Sequence, residues 1–377
     1  MEEDPLVTVY AHINTVPNGS TGGIMMKEHK ELLAAGEDSY AFWGRGRGIE
    51  NANEMRFVSD LEVKLDVLQT RLDGKAGFHS KTATKRLLAR LDEIAPDVVH
   101  LHNLHGYYVN IEMLFGWLAN HDCRVEWTLH DCWAFTGHCA YFTYAKCSEW
   151  KARCGDSCAQ LGAYPATFSK GSCSWNYDQK KRLFNLVPAD RMELITPSKW
   201  LAGLVRQSFL AKYPVEVRYN TIDASVFKPT PSDFRERYGI GSRFMVLGVA
   251  SPWTERKGLA DFVKLANGLN PEEYAIVLVG LSENQLKELP ANIIGLARTD
   301  SLRELASIYT AADVFFNPTR EDNYPTTLLE AQACGTSALT YLVGGCAEAL
   351  SAKGSCAVVG FDAALRFINE MRMEGGR

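Results

Sequence analysis

Asn317-Pro318-Thr319-Arg320-Glu321-Asp322-Asn323-Tyr324-Pro325-Thr326-Thr327-Leu328-Leu329-Glu330-Ala331-Gln332-Ala333-Cys334-Gly335 reads as the end of a strand, a polar loop and a helix. The apolar run Ala312 to Phe316 enters the loop, Glu321 and Asp322 are its acids, and the helix after Pro325 carries Glu330 and ends near Gly335. The first amides of such a helix lack intrahelical partners and point at an anion. Asp322 in the loop and Glu330 in the helix would flank that cradle. This pairing suits a nucleotide sugar: the diphosphate takes the helix end, and each carboxylate accepts hydrogen bonds from a sugar diol. The plain alternative is an ordinary strand–loop–helix unit with surface acids.

Working outward, the same rhythm recurs. Apolar runs at Val7–Ile13, Tyr40–Trp43, Val98–His102, Val125–Leu129, Leu194–Pro197 and Val215–Tyr219 alternate with helical segments. After a break they resume at Phe244–Ala250, Ala275–Val279, Ile293–Leu296, Val314–Phe316, Ala338–Val343 and Ala357–Val359. Alternation of this kind predicts parallel sheets with crossover helices. Two runs of strands fit two doubly wound α/β domains, residues 1–228 and 229–377, facing a central cleft. The stretch from Asp223 to Gly239, with Pro229 and Pro231, is expected as the linker. An irregular, Cys-, Tyr- and Trp-rich insertion is expected near residues 135–175.

The bulk properties narrow the function. A net charge of −5 argues against a nucleic-acid binder. The acidic start Met-Glu-Glu-Asp-Pro has no apolar core behind it, and no apolar run reaches bilayer length, so a cytoplasmic chain is expected. Of ten cysteines, Cys132, Cys139, Cys147, Cys154, Cys158 and Cys173 fall in one stretch, with Cys139, Cys147, Cys154 and Cys158 as the candidate metal set. Four thiolates there suit a structural zinc, and buried free thiols are the other reading.

Ligands in open parallel sheets bind beyond the carboxyl ends of the strands. That rule selects Gly22-Gly23, Asn103 and His105, His130-Asp131, and Arg256-Lys257. Gly22 and Gly23 allow close backbone approach and do not form the dinucleotide Gly-x-Gly-x-x-Gly pattern. Arg256 and Lys257 ahead of Gly258 would neutralise a departing diphosphate. His130 could donate to a sugar hydroxyl, or it is a satisfied core histidine. His100 and His102 share a strand face like a metal pair, but no acid lies near them in sequence, so metal is not assigned to them. The chain has no Asp-x-Asp, which with Arg256-Lys257 points to cationic rather than metal stabilisation of the leaving group and to catalysis without a cofactor. Lys64, Arg71, Lys75, Lys81, Lys85, Arg86 and Arg90 form a basic strip that suits an anionic surface such as lipid headgroups, or is a solvated helix face.

Taken together these residues resemble the family 4 retaining glycosyltransferases of the GT-B fold, in particular bacterial members that build exopolysaccharide, capsule or O-antigen. The resemblance runs over nearly the whole chain. It rests on Ser20 to Ile24, His100 to Tyr108, Thr128 to Trp133, Thr196 to Leu201, Ser251 to Gly258, Gly295 to Thr299, Asp322 to Glu330 and Cys334-Gly335. It implies a nucleotide-diphosphate-sugar donor and a glycan or polyprenyl-linked glycan acceptor, with contact at the inner face of the cytoplasmic membrane. It places Arg256 and Lys257 on the diphosphate, Glu330 on the ribose, and Asp322 and His130 on the transferred sugar. Gly22 and Gly23 would face phosphate and acceptor. Asn323 and Thr326 complete the donor set, and Asn103 and His105 lie on the acceptor side. Asp322 replaces a usual Glu, and Asn220-Thr221-Ile222-Asp223 lacks the family's glycine. The chain ends at Arg377, ahead of the helix with which family members cross back to the first domain. A GT-B nucleotide-sugar epimerase and a non-catalytic sugar-nucleotide-binding subunit are the alternatives.

Overall fold

A computed structural model describes residues 7–375, which divide into two compact units with the boundary between Tyr219 and Asn220. In the first, β1 (Val9–Asn14), β2 (Asp38–Trp43), β3 (Glu54–Arg56), β4 (Val98–Leu101), β5 (Arg124–Thr128), β6 (Met192–Thr196) and β7 (Val215–Val217) form one sheet in the order β3-β2-β1-β4-β5-β6-β7. Every pair is parallel. Its helices are α1 (Gly19–Ala34), α2 (Asp60–Asp73), α3 (Lys81–Ile94), α4 (Ile111–Asn120), α5 (Cys173–Leu183) and α6 (Lys199–Val205). The second sheet, order β10-β9-β8-β11-β12-β13, contains β8 (Phe244–Val249), β9 (Tyr274–Val279), β10 (Ile293–Leu296), β11 (Val314–Asn317), β12 (Ser337–Tyr341) and β13 (Cys356–Val358). With it go α7 (Phe234–Arg237), α8 (Leu259–Gly268), α9 (Glu283–Glu288), α10 (Leu302–Ala311), α11 (Thr326–Ala333) and α12 (Gly360–Met373).

Both units are doubly wound Rossmann-like domains, as the alternating pattern predicts. Strands such as β9 are buried along their whole length, because helices cover both faces of a parallel sheet. The strand that sequence reading misses is β3. Glu54-Met55-Arg56 is a short, half-buried edge pairing with β2 and has no apolar run to announce it. The expected linker residues 223–239 lie within the second unit. Phe227 and Phe234 are buried in its core, and Arg235 donates to Ala311 O at 2.8 Å and pairs with Asp313.

Between β5 and α5 the backbone carries only two short 3-10 turns, Trp133–Phe135 and Glu149–Lys151. Aromatic packing substitutes for ladders: Trp150 sits 5.3 Å from Phe135 and 4.9 Å from Phe142, centroid to centroid. Lys180 of α5 pins this stretch from beneath. Its Nζ donates to Trp133 O at 2.8 Å and Thr136 O at 3.0 Å, and lies 3.5 Å from the Trp133 ring centroid. Burial pushes that ammonium down to about 7. Trp133 O accepts otherwise only the longer bonds from Thr136 N at 3.4 Å and Thr136 Oγ1 at 3.5 Å, so Lys180 supplies its strongest donor.

Candidate functional site

In the second unit the strand order reverses between β8 and β11, and the loops leaving these neighbours interlock. Arg320 N donates to Arg256 O at 2.7 Å, and Thr319 Oγ1 donates to the same carbonyl at 3.3 Å. Gly258 closes the first loop at φ +80°, and a Cβ there would lie 2.2 Å from Pro318 O, so glycine alone permits the approach. The interlock aims two cations at one acid. Lys257 Nζ lies 2.6 Å and Arg256 Nη1 3.4 Å from Asp322 Oδ2, and Arg256 also donates to Glu321 O. Burial alone would raise the Asp322 carboxyl, but Lys257 and Arg256 outweigh it and hold the group below its ordinary value. The site therefore sets a fixed carboxylate against two fixed cationic side chains.

Helix α11 begins beside this cluster. Pro325 at its N-cap has no N–H to leave unsatisfied, and Asn323 N is held by Asp322 Oδ1 at 2.9 Å. One turn on, Glu330 Oε2 accepts from Tyr309 OH at 3.0 Å. Burial raises the Glu330 pKa, while hydrogen bonds from Tyr309 and Thr326 pull it back. Two partners were missed from sequence. Tyr309 comes from α10, and its motif-free context gives no signal. Gly344, after β12, has φ +55°, and a Cβ there would meet Asp322 O at 2.0 Å. Gly345 N then donates to that same carbonyl at 3.0 Å. The Gly344-Gly345 dipeptide following a strand was the available signal.

In the first unit the order reverses between β1 and β4, and the sequence-predicted residues gather nearby. The Asn103 carbonyl accepts from Tyr108 OH at 2.6 Å and Thr15 Oγ1 at 3.1 Å, so its backbone is fixed. His105 Nε2 pairs with Asp131 Oδ2 at 2.7 Å, and its ring meets Trp133 and Tyr164 edge-on. His130 Nε2 lies 3.1 Å from His102 Nδ1. Burial pushes His130 down to about 4 against the opposing pull of Asp131, so it is a neutral imidazole at neutral pH. The two glycines differ. A Cβ on Gly22 would strike Val16 O and the Pro17 carbonyl carbon at 2.6 Å, so its missing side chain serves packing of the chain on itself. Gly23 is exposed and has open space around its Cβ position.

Beneath His130 lies a buried polar group. His12 of β1 stands in register with His100 of β4, and His102 follows one residue beyond that strand. Glu28 of α1 reaches them, with Oε2 3.2 Å from His100 Nδ1 and 3.8 Å from His102 Nε2. The acid that sequence proximity did not supply thus arrives from a helix 72 residues upstream of His100.

Cys139, Cys147, Cys154 and Cys158 line one cavity in the irregular stretch, together with Cys173. Cys154 Sγ accepts from Gly137 N at 3.2 Å and Cys158 Sγ from Gln160 N at 3.4 Å. Hydrogen bonds from Cys139 and Cys173 hold the Cys158 thiol well below its ordinary value. Cys173, which belongs to the same cysteine-rich stretch but not to the four candidate ligands, heads α5 and also lines the cavity.

Comparison with known proteins agrees with this architecture. Residues 243–372 match the family model described as glycosyl transferases group 1. The putative colanic acid biosynthesis glycosyl transferase WcaC of Escherichia coli K12 is 23% identical over 368 residues, which span 89% of this chain and 83% of that protein. Among solved structures, sucrose-phosphate synthase from Thermosynechococcus elongatus superposes with a TM-score of 0.70 at 14% identity, covering 97% of this chain and 90% of the other. The Anabaena protein HepE, solved in complex with UDP-glucose, superposes with a TM-score of 0.62 at 13% identity, again over 97% and 90% of the two chains. Among the described residues, no helix is long and apolar enough to cross a membrane.

Proposed function

We propose that this chain, which belongs to the group 1 glycosyltransferases of the family 4, exopolysaccharide-building kind, transfers a hexose-type sugar from a nucleotide-diphosphate-sugar donor to a glycan or polyprenyl-linked glycan acceptor, with retention at the anomeric carbon. The observation that carries the reading is the convergence of Lys257 and Arg256 on Asp322 at the mouth of α11, where β8 and β11 part. Two cations held by interlocked loops need no reorganisation when negative charge develops on a leaving diphosphate. Glu330 accepts hydrogen bonds from the ribose diol. Asp322 and His130 hold the sugar, and Asn103 and His105 serve the acceptor.

In the proposed step the bond from the anomeric carbon to the diphosphate oxygen breaks as the acceptor oxygen bonds to the same face. The acceptor proton passes to the departing diphosphate. No protein nucleophile or catalytic metal is invoked, since Arg256 and Lys257 supply the countercharge. The structural zinc expected on Cys139, Cys147, Cys154 and Cys158 is not carried forward, because among the described residues these sulfurs form no group close enough to share one ion, and they are read as packed free thiols.

Peripheral contact with the inner face of the cytoplasmic membrane is supported by α2. Leu61, Leu65, Leu68 and Leu72 recur on one helical face and are 50–67% exposed. Lys64 and Arg71 are exposed on the same helix, and Phe168, whose N–H is bonded to Arg71 O at 2.8 Å, is exposed at its end. Apolar residues flanked by cations are what an interfacial helix presents to anionic lipid. Arg86 of the sequence-predicted strip is instead engaged with Glu62 at 2.6 Å and with Phe57 O.

The test is a screen of UDP- and GDP-sugars for nucleoside diphosphate release, with and without a polyprenyl-linked glycan. Acceptor-dependent release and a retained anomeric configuration are expected. Release with free epimerised sugar and no acceptor would favour the epimerase, and binding without turnover the non-catalytic subunit.

A further inference from the structure

We propose that His12, Glu28, His100 and His102 form a binding site for one divalent transition-metal ion of the zinc class, built into the first unit at its strand-order reversal. One donor atom from each of the four residues lies within 4.8 Å of all the others, and among the described residues this is the one such group of three or more. A tetrahedral ion with bonds of about 2.0–2.1 Å spaces its ligands roughly 3.4 Å apart. The Glu28 Oε2 separations of 3.2 Å from His100 and 3.8 Å from His102 bracket that spacing.

The hydrogen bonds around the group point the same way. A metal-bound histidine usually spends its other ring nitrogen on a fixed partner. His100 does so, with Nε2 2.8 Å from Thr128 Oγ1 while Nδ1 faces Glu28. His102 does so in mirror fashion, with Nδ1 on His130 and Nε2 facing Glu28. His12, only 1% exposed, has no hydrogen-bond partner on either ring nitrogen, and Glu28 Oε2 and His102 Nε2 have none either. Buried polar atoms left unpaired are costly, and a cation would satisfy one ring nitrogen of His12 together with Glu28 Oε2 and His102 Nε2. The Glu28 side chain is 26% exposed, while its Oε2 is buried. Imidazole and carboxylate without thiolate suit zinc, and neighbouring first-row ions compete by the usual order.

The site has a consequence for His130. An ion on His102 Nε2 leaves the proton on His102 Nδ1, which then donates to His130 Nε2. His130 must carry its own proton on Nδ1. His102 is thus a positioning residue for His130, and the metal fixes the tautomer.

The inference is independent of the proposed sugar transfer, and its test reads metal directly. The full-length protein is stripped with chelator and titrated with cobalt(II) and zinc. Thiolate-bound cobalt shows intense near-ultraviolet charge transfer and nitrogen- and oxygen-bound cobalt does not, which separates this site from the cysteine cavity. One equivalent of cobalt without thiolate charge transfer is expected in the wild type, and it should persist in Cys139→Ser/Cys158→Ser. Glu28→Gln and His12→Gln, both near-isosteric, should weaken that equivalent at least 10–100-fold, the range for losing even an outer partner. Ring-nitrogen NMR should show His130 moving to the Nδ1–H tautomer on zinc addition. Absence of nitrogen- and oxygen-bound cobalt in the folded wild type would overturn the proposal, as would unchanged affinity in both variants. In either case the four residues are a proton-sharing core cluster.

Discussion

Both sheets reverse their strand order once, between β1 and β4 in the first unit and between β8 and β11 in the second, and polar side chains gather at each reversal. In the second unit they are charged and already matched, with Lys257 and Arg256 on Asp322 and Tyr309 on Glu330. In the first they are mostly neutral imidazoles, kept so by burial, and several ring nitrogens have no partner. The same topology thus yields a place that neutralises an anion and a place that offers lone pairs. The contrast teaches that a strand-order reversal supplies only the position, and the residues on the two loops and the nearest helix decide the chemistry.

The sharpest way to break this comparison is to remove one cation of the charged reversal. Arg256→Ala or Lys257→Ala should lower turnover tenfold to a thousandfold, as for loss of a preorganised electrostatic stabiliser, with no rescue by added magnesium or manganese. Near-normal rates in both variants would mean that the convergence on Asp322 only ties two loops together.

Glu330 sharpens it from the other side of the helix end. Glu330→Ala should weaken binding of the free nucleoside diphosphate by about 1.5–3 kcal/mol, the range for a hydrogen bond to a charged group. The pH dependence has a defined sign. Burial raises the Glu330 pKa, and the ionised form is the better acceptor, so affinity should fall on acidification starting above the ordinary value of 4.5. Glu330→Gln should bind more weakly at neutral pH and lose that acid limb. Isothermal titration across pH reads both, and an identical acid limb in the variant would assign it to another group.

Legibility followed the same divide. Asp322, Arg256 and Lys257 sit in short loops directly after apolar strands, so their convergence could be read from two segments and one rule about strand ends. Among the described residues, twelve of the thirteen strands were marked by apolar runs, and the exception, β3, is an edge with no buried face to pattern it. The imidazole cluster was half-visible. His100 and His102 show their shared face by alternation, but Glu28 lies on the interior of a helix and His12 on another strand, and only the fold brings them together. Tyr309 was hidden for the same reason. The leucine face of α2 was legible in its spacing and was overlooked in favour of the charges beside it.

A third test concerns what holds the irregular stretch on the first unit, which has no counterpart in the second. Lys180→Met keeps the length of the side chain and removes the donor, leaving Trp133 O and Thr136 O without it. Breaking charge-assisted hydrogen bonds of this kind costs about 1.5–3 kcal/mol each before relaxation. The variant should unfold at lower urea with an unchanged slope, and retained wild-type stability would show that aromatic packing around Trp150 suffices.

The smallest expected effect lies on the surface that only the first unit carries. The leucine face of α2 and the cations beside it should give weak, salt-sensitive attachment to anionic vesicles, since each well-placed cation near such a surface is worth about 1 kcal/mol. Lys64→Glu with Arg71→Glu should therefore reduce binding to phosphatidylglycerol vesicles several-fold at low salt, and high salt should erase the difference. Leu65→Ser with Leu68→Ser should reduce binding at both salt concentrations, because the apolar term is not screened. Neither pair touches the residues assigned to donor or acceptor, so nucleoside diphosphate release with a water-soluble acceptor should stay at the wild-type rate. Wild-type protein that ignores anionic vesicles at low salt would make α2 a solvated face with four exposed leucines, and the acceptor would then have to reach the enzyme in solution or on a partner.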